Sequence, residues 1–318
     1  MATAAANAPS HGQLWFRALR APFLVASVIP AILAGVLAFV AIADGRTSGA
    51  SFRVDLFLLC VVGAATVHLA SNMLNDNFDY RSGDDLAVKH QNPFAGGGRV
   101  LPQRVLSLNA HLAVALGFLA VTVAIGLYLF SIVGYPLLWI GAIGVFAAVF
   151  YVAPPFRLAH LGVGELFVGL GFGPLVVLGT YYVLTLRFDW GALFLSASMG
   201  LLVAAILWIN EFPDVEADLS VGKRTLMARL GYVRSISVYF YLVALAYISV
   251  FLAVLTSQVP VTALLVFLTL PGAAKAYRHL EVHYADPMAL IPANAGTVML
   301  TVQFGILAIV GVAAGLVI

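Results

Sequence analysis

The 318-residue chain is short of charge: only 9% of its residues are Asp, Glu, Lys or Arg, where soluble globular domains carry about 25%. Apolar residues make up 62%, against roughly 45–50% in such domains, which excludes a water-soluble fold and leaves an integral membrane protein. Cysteine is almost missing. The one cysteine, Cys60, lies inside an apolar run, which excludes an internal disulfide and any zinc site built from cysteines alone. No basic stretch is long enough to follow a phosphate backbone, so no nucleic acid is expected as a partner. The net charge of +2 says little, because it averages loops that face opposite sides of a bilayer.

What the chain has in quantity is long apolar runs. A helix needs about 20 apolar residues to cross a hydrocarbon core of about 30 Å. Runs of that kind lie near 22–43, 54–78, 109–130, 132–152, 162–186, 191–211, 235–256, 260–277 and 288–316. They are continuous rather than alternating, which argues against a β-barrel. The first is too long for a cleaved signal and has no convincing cleavage site. The expected fold is an all-α membrane protein of about nine transmembrane helices. It has a tail over 1–21, disordered at its Ala-rich start Met1 to Ser10, and one membrane domain over 22–318. Of the sixteen Lys and Arg residues, all but Arg46, Arg53 and Arg187 fall in segments on one side. The positive-inside rule then places the N-terminus and the loops 79–108 and 212–234 in the cytoplasm.

Acidic residues are few, fourteen in all, and eight sit in two clusters: Asp76, Asp79, Asp84 and Asp85, then Glu211, Asp214, Glu216 and Asp218. Both clusters follow a span at the same membrane face, and ionisable groups at the hydrocarbon edge are functional candidates by default. His68, Asn72, Asp76 and Asp79 are spaced to line one face of a helix, as are Asn210, Asp214 and Asp218. Two facing carboxylate stripes repel each other unless a positive group sits between them. Hard oxygen ligands with a few carboxylates suit Mg²⁺, which keeps waters and shares phosphate oxygens. The expectation is a diphosphate–Mg²⁺ site at the cytoplasmic mouth of the bundle. Solvated helix ends that pair with nearby Lys and Arg are the plainer alternative. Pro213 interrupts the second stripe and is expected to kink or end the sixth helix.

The stretch Asn72-Met-Leu-Asn-Asp-Asn-Phe-Asp79-Tyr-Arg-Ser-Gly-Asp84 resembles the first aspartate-rich motif of the UbiA superfamily of intramembrane prenyltransferases. Asn210-Glu-Phe-Pro-Asp214-Val-Glu-Ala-Asp218, followed by Gly222-Lys-Arg-Thr-Leu, resembles the second. The run from Gly162 to Pro174, continuing to Gly179-Thr-Tyr-Tyr182, is similar to the menaquinone-pathway branch, which prenylates 1,4-dihydroxy-2-naphthoate. The loop from Gln91 to Leu101 and the Glu211-Phe-Pro213 step depart from that branch. Another hydroxylated aromatic therefore stands as the second choice of acceptor.

The resemblance implies that an isoprenoid diphosphate loses its diphosphate and that an electron-rich ring captures the allylic cation. It implies two Mg²⁺ ions, one held by Asn72, Asp76 and Asp79 and the second by Asp214 and Asp218. Asp84 is a further candidate, and Asn210 is expected to orient a carboxylate or metal-bound water. Lys89, Arg99, Arg157, Lys223 and Arg224 are the candidates for the diphosphate, although positive-inside topology alone would also place them there. Gly96-Gly97-Gly98 offers either backbone N–H groups for phosphate or simply a mobile loop. Tyr151, Glu165, His68 and Trp208 are candidate pocket residues. Each has an ordinary reading too: an interfacial aromatic for Tyr151, a helix-dipole partner for Glu165, core packing for His68 and Trp208. The implied setting is a bacterial or archaeal membrane with the site facing the cytoplasm; the oligomeric state is left open. A transporter with a cytoplasmic-side acidic site is the rival from another class.

Overall fold

The computed structural model describes residues 10–47, 49–90, 92–95 and 97–316. Residues 1–9 of the expected tail lie outside this range, as do Gln91 and Gly96. Every regular element among the described residues is helical. A short helix, α1 (His11–Ala18), opens on a reciprocal cap in which Ser10 and Gln13 satisfy each other's backbone N–H. A single 3₁₀ turn, Ala21–Leu24, leads into α2 (Val25–Ala43). Then come α3 (Val54–Ser82), the one-turn α4 (Asp84–Ala87), α5 (Leu108–Val133) and α6 (Tyr135–Phe150). The fifth apolar run is α7 (Gly164–Leu170), a π-helical turn Gly171–Leu175 and α8 (Val176–Thr185) in one continuous rod. The remainder is α9 (Trp190–Glu211), α10 (Val215–Ser220), α11 (Leu226–Leu230), α12 (Tyr232–Leu255), a 3₁₀ stretch Val261–Thr269 running into α13 (Leu270–His283), and α14 (Ile291–Ala314).

Seven of these helices are long and apolar enough to cross a bilayer. Two expected spans fall short. At sixteen residues α6 rises about 24 Å, and the eighth run is 3₁₀ in its first half and α-helical in its second. Exposure matches a lipid solvent. Leu116, Val121, Leu127, Trp139 and Ile143 on α5 and α6 all face outward, an apolar surface that water would not tolerate. The chain is a multi-pass integral membrane protein.

At the centre stands α9, the most enclosed of the long helices, packed against α12, α14 and the α7–α8 rod. That rod can approach because glycine meets glycine. A Cβ on Gly173 would collide with the Ser196 carbonyl, and one on Gly200 with the Gly169 carbonyl. On the other flank α3 lies along α5. The short α4 packs against α10, and this contact brings the ends of the second and sixth runs together at one face of the bundle.

Candidate active site

The first stripe is continuous: α3 runs past its expected end to Ser82, so His68, Asn72, Asp76 and Asp79 share one helix. The second is not. α9 stops at Glu211, Phe212 to Asp214 form a turn, and the chain becomes helical again in α10. Pro213 is the reason, since it has no N–H to give to the carbonyl of Ile209. Asn210 thus ends one helix while Asp218 belongs to the next, which corrects the expectation of a single face.

The clusters meet on Lys223. Its Nζ lies 2.7 Å from Asp84 Oδ2, 3.2 Å from Asp218 Oδ1 and 3.5 Å from Asp79 Oδ2. Burial would pull the ammonium down, but Asp79, Asp218 and Asp84 hold its pKa well above the ordinary value. Burial pushes the Asp218 carboxyl up to about 8 even with Lys223 beside it. Asp85, buried close to Asp76 and Asp79, is pushed up to about 9. The second cation at the site is Arg20, whose guanidinium pairs with Asp76. Sequence reading placed Arg20 only in the topology count; its position just before the first span, facing the end of the second, was the available signal.

The loop between α4 and α5 closes over this cluster. Gly98 N–H donates to Asp76 Oδ2 at 3.0 Å. Gly97 sits at φ +69°, and a Cβ there would lie 2.9 Å from Asp76 and from Arg20, so only glycine fits this approach. His90 Nε2 donates to the Pro213 carbonyl at 2.7 Å and lies 3.7 Å from Asp214, while Arg99 donates to the His90 carbonyl at 2.8 Å. The loop is therefore bonded to both acidic segments rather than detached.

Other expected residues scatter. Lys89, Arg157 and Arg224 are exposed and Arg99 serves the loop, whereas Lys223 pairs with Asp79, Asp84 and Asp218. Glu165 is buried, and its Oε1 accepts the Leu226 N–H at 2.7 Å, tying α7 to the start of α11. Trp208 is not a pocket wall: it is enclosed between α9 and α12, where Nε1 donates to the Ser235 carbonyl at 2.8 Å.

Below the acids lies a cavity of about 370 Å³ between α3, α5, α6 and the α7–α8 rod. Its lining is almost wholly apolar, with His68, Ser71 and Tyr151 among the polar exceptions. His68 and Ser71 precede Asp76 on α3 by less than about three turns, so the cavity lies below the level of the charged cluster. Ser27 Oγ lies 3.0 Å from the Leu24 carbonyl and 3.0 Å from His68 Nδ1, so one hydroxyl ties the imidazole to the start of α2. Phe172 packs edge-on against the imidazole, 4.6 Å between centroids.

Among the described residues, Asp84 Oδ1 and Asp85 Oδ2 are buried with no hydrogen-bond partner, as is the Asn72 amide nitrogen. The two carboxylate oxygens fit a hard cation, and the amide N–H₂ fits an anionic oxygen beside it. Among the described residues no three His, Cys, Asp or Glu side chains converge closely enough to cage a metal by themselves.

A buried cluster of paired carboxylates and cations and an apolar cavity thus sit together in a helical membrane protein. Residues 27–291 match the UbiA prenyltransferase family, and the chain belongs to it; it is a membrane-bound prenyltransferase. Two relatives cover nearly its full length. A 2-carboxy-1,4-naphthoquinone phytyltransferase of Synechocystis sp. is 29% identical over 284 residues, 89% of this chain and 88% of that protein. A 1,4-dihydroxy-2-naphthoate octaprenyltransferase of Bacillus subtilis is 27% identical over 304 residues, 95% and 93% of the two chains. Among solved structures, the apo form of a UbiA homologue from Aeropyrum pernix K1 superposes with a TM-score of 0.65 at 15% identity, covering 93% of this chain and 98% of that one. A UbiA homologue from Archaeoglobus fulgidus, bound to GPP and Mg²⁺, gives 0.63 at 13% identity, covering 93% and 99%.

Proposed function

We propose that the protein transfers a prenyl group from an isoprenoid diphosphate to 1,4-dihydroxy-2-naphthoate in a Mg²⁺-dependent reaction. Another hydroxylated aromatic is the second choice of acceptor. The observation that carries this reading is the meeting of both acidic segments on Lys223, directly above an apolar cavity. The cavity volume lies within the range of about 300–1,000 Å³ usual for small-molecule sites. Its apolar wall suits a prenyl chain, and the names of the two relatives support the naphthoate ring.

Asn72, Asp76, Asp79, Asp84, Asp214 and Asp218, with Asn210 nearby, would hold the metal, and two ions fit the division into two segments. Bound Mg²⁺ would neutralise the diphosphate and make it a better leaving group. The protein's own groups do the rest. Lys223 and Arg20 exchange carboxylate partners for phosphate oxygens, with Lys89, Arg99, Arg157 and Arg224 adding positive field around the mouth. As the C–O bond breaks, its electron pair leaves with the diphosphate. The Tyr151 ring flanks the cationic carbon, and the apolar lining keeps water from capturing it. A ring carbon of the acceptor then forms the C–C bond and sheds its own substituent, a proton or the carboxylate as CO₂, so that the ring becomes aromatic again. His68 lines the cavity where an acceptor hydroxyl would lie, and Glu165 holds the loop that carries Lys223.

The two short apolar elements would complete nine crossings, with the N-terminus and the site in the cytoplasm and 22–318 acting as one domain beneath the loops 79–108 and 212–234. The test is turnover by purified protein in liposomes, with radiolabelled geranylgeranyl diphosphate and a panel of aromatic acceptors, with Mg²⁺ or EDTA. Mg²⁺-dependent product with dihydroxynaphthoate is expected. Product only with other rings discards the acceptor, and no product with any ring or donor length discards the reaction.

A further inference from the structure

Three carboxamides join the loop after α4, the start of α14 and the end of α9. Asn92 and Asn294 are almost fully enclosed, at 1% and 0% exposure, and Asn210 is partly so. Backbone groups fix which way each amide faces. The Pro287 carbonyl only accepts, so the group 2.8 Å from it is the amino group of Asn92; the Phe94 N–H only donates, so the group it meets at 2.9 Å is the Asn92 oxygen. That amino group also reaches Asn294 Oδ1 at 3.3 Å. The Ile209 carbonyl, 3.1 Å from Asn294, orients the second amide in the same manner. This is the carbonyl that Pro213 leaves without its helical partner, so the proline creates a vacancy in the ladder that Asn294 fills. The same Asn294 amino group then donates to Asn210 Oδ1 at 2.8 Å. The relay has one polarity from end to end. The Asn210 oxygen is turned toward α14, which makes the N–H₂ group the edge of its amide on the opposite side.

We propose that Asn294 is a positioning residue that sets Asn210 as a hydrogen-bond donor at the mouth of the site, so that Asn210 meets a phosphate oxygen through its N–H rather than a cation through its carbonyl oxygen. The proposal rests on the reading of the mouth as a diphosphate site. An amide oxygen already accepting a hydrogen bond is a poor ligand for a hard cation, whereas an N–H suits an oxyanion. The cation ligands of the second segment then reduce to Asp214 and Asp218. Asn92 extends the effect to the loop: the residues that close over Asp76 are anchored through Asn294 to the amide that faces the ligand.

The test measures binding of an unreactive geranylgeranyl thiodiphosphate to the full chain by calorimetry, over a Mg²⁺ titration. Asn210→Ala is expected to weaken binding about tenfold, the loss of one hydrogen bond to a charged acceptor, with the half-saturating Mg²⁺ concentration unchanged. Asn210→Asp offers an extra oxygen to a cation but removes the N–H, and is expected to weaken binding at least as much. Asn294→Leu should lose the same factor as Asn210→Ala, and the double variant no more than either single one. Binding by Asn210→Asp at the wild-type level, or at lower Mg²⁺, would overturn the donor role. Losses at Asn210 and Asn294 that multiply would overturn the positioning role. If Asn294→Leu does not fold, the Asn210 pair still decides the polarity. Failure of the wild-type protein to bind the analogue would instead remove the diphosphate reading itself.

Discussion

Lys223 balances three carboxylates with one ammonium, all four side chains nearly shut off from solvent. Removing one partner from such a set leaves buried charge uncompensated and costs about 3–5 kcal/mol. Lys223→Ala is therefore expected to lower the melting temperature in EDTA, and added Mg²⁺ should restore much of the loss by supplying a cation to the same oxygens. Thermal melts with and without Mg²⁺ check this; an equal loss in both conditions would count against a metal at these carboxylates. Trp208→Phe, by contrast, should cost about 1 kcal/mol of stability through the lost bond to Ser235 and leave turnover near the wild-type rate. The aspartates and Lys223 were legible because their spacing is local to a helix or a motif. Arg20 and Asn294 were not, since their partners lie 56 and 84 residues away and no periodicity announces such pairs. Trp208 was misplaced because an indole on a core seam and one on a pocket wall have the same sequence surroundings.

Elements ended where local chemistry dictated. Pro213 was recognised as an interruption, yet the restart of the chain in α10, which carries Asp218 and packs against α4, was not legible from spacing. The loop after α4 was read as either phosphate cradle or mobile segment. Its hydrogen bonds to Asp76 and Pro213, set by groups distant in sequence, make it an anchored cover. Gly97→Ala places a Cβ against Asp76 and Arg20 in a backbone region that disfavours side chains. Turnover is expected to fall at least about tenfold while the melting temperature shifts by only a few degrees, because the strain of about 1–2 kcal/mol sits in a loop. Gly200→Ala should do the reverse, destabilising the crossing of α9 with the α7–α8 rod by about 1–3 kcal/mol. Comparing rate with melting point in the two variants separates cover from scaffold.

For the whole molecule, composition alone placed the chain in a bilayer, because hydrocarbon exposure on this scale has no other solvent. The number of crossings was harder to read: apolar runs have similar composition whether they become a full-length helix, the sixteen-residue α6 or a 3₁₀–α composite. Single cysteines introduced near Arg104 and near Asp44, in a Cys60→Ala background, should be labelled from opposite sides of sealed vesicles. The most direct measurement is Mg²⁺-dependent prenyl transfer by wild-type protein, Asp76→Ala and Asp214→Ala, each shown to be folded. Loss of turnover in both variants, one from each acidic segment, is the expected result. Wild-type-like turnover in either would contradict a single catalytic centre built from the two segments.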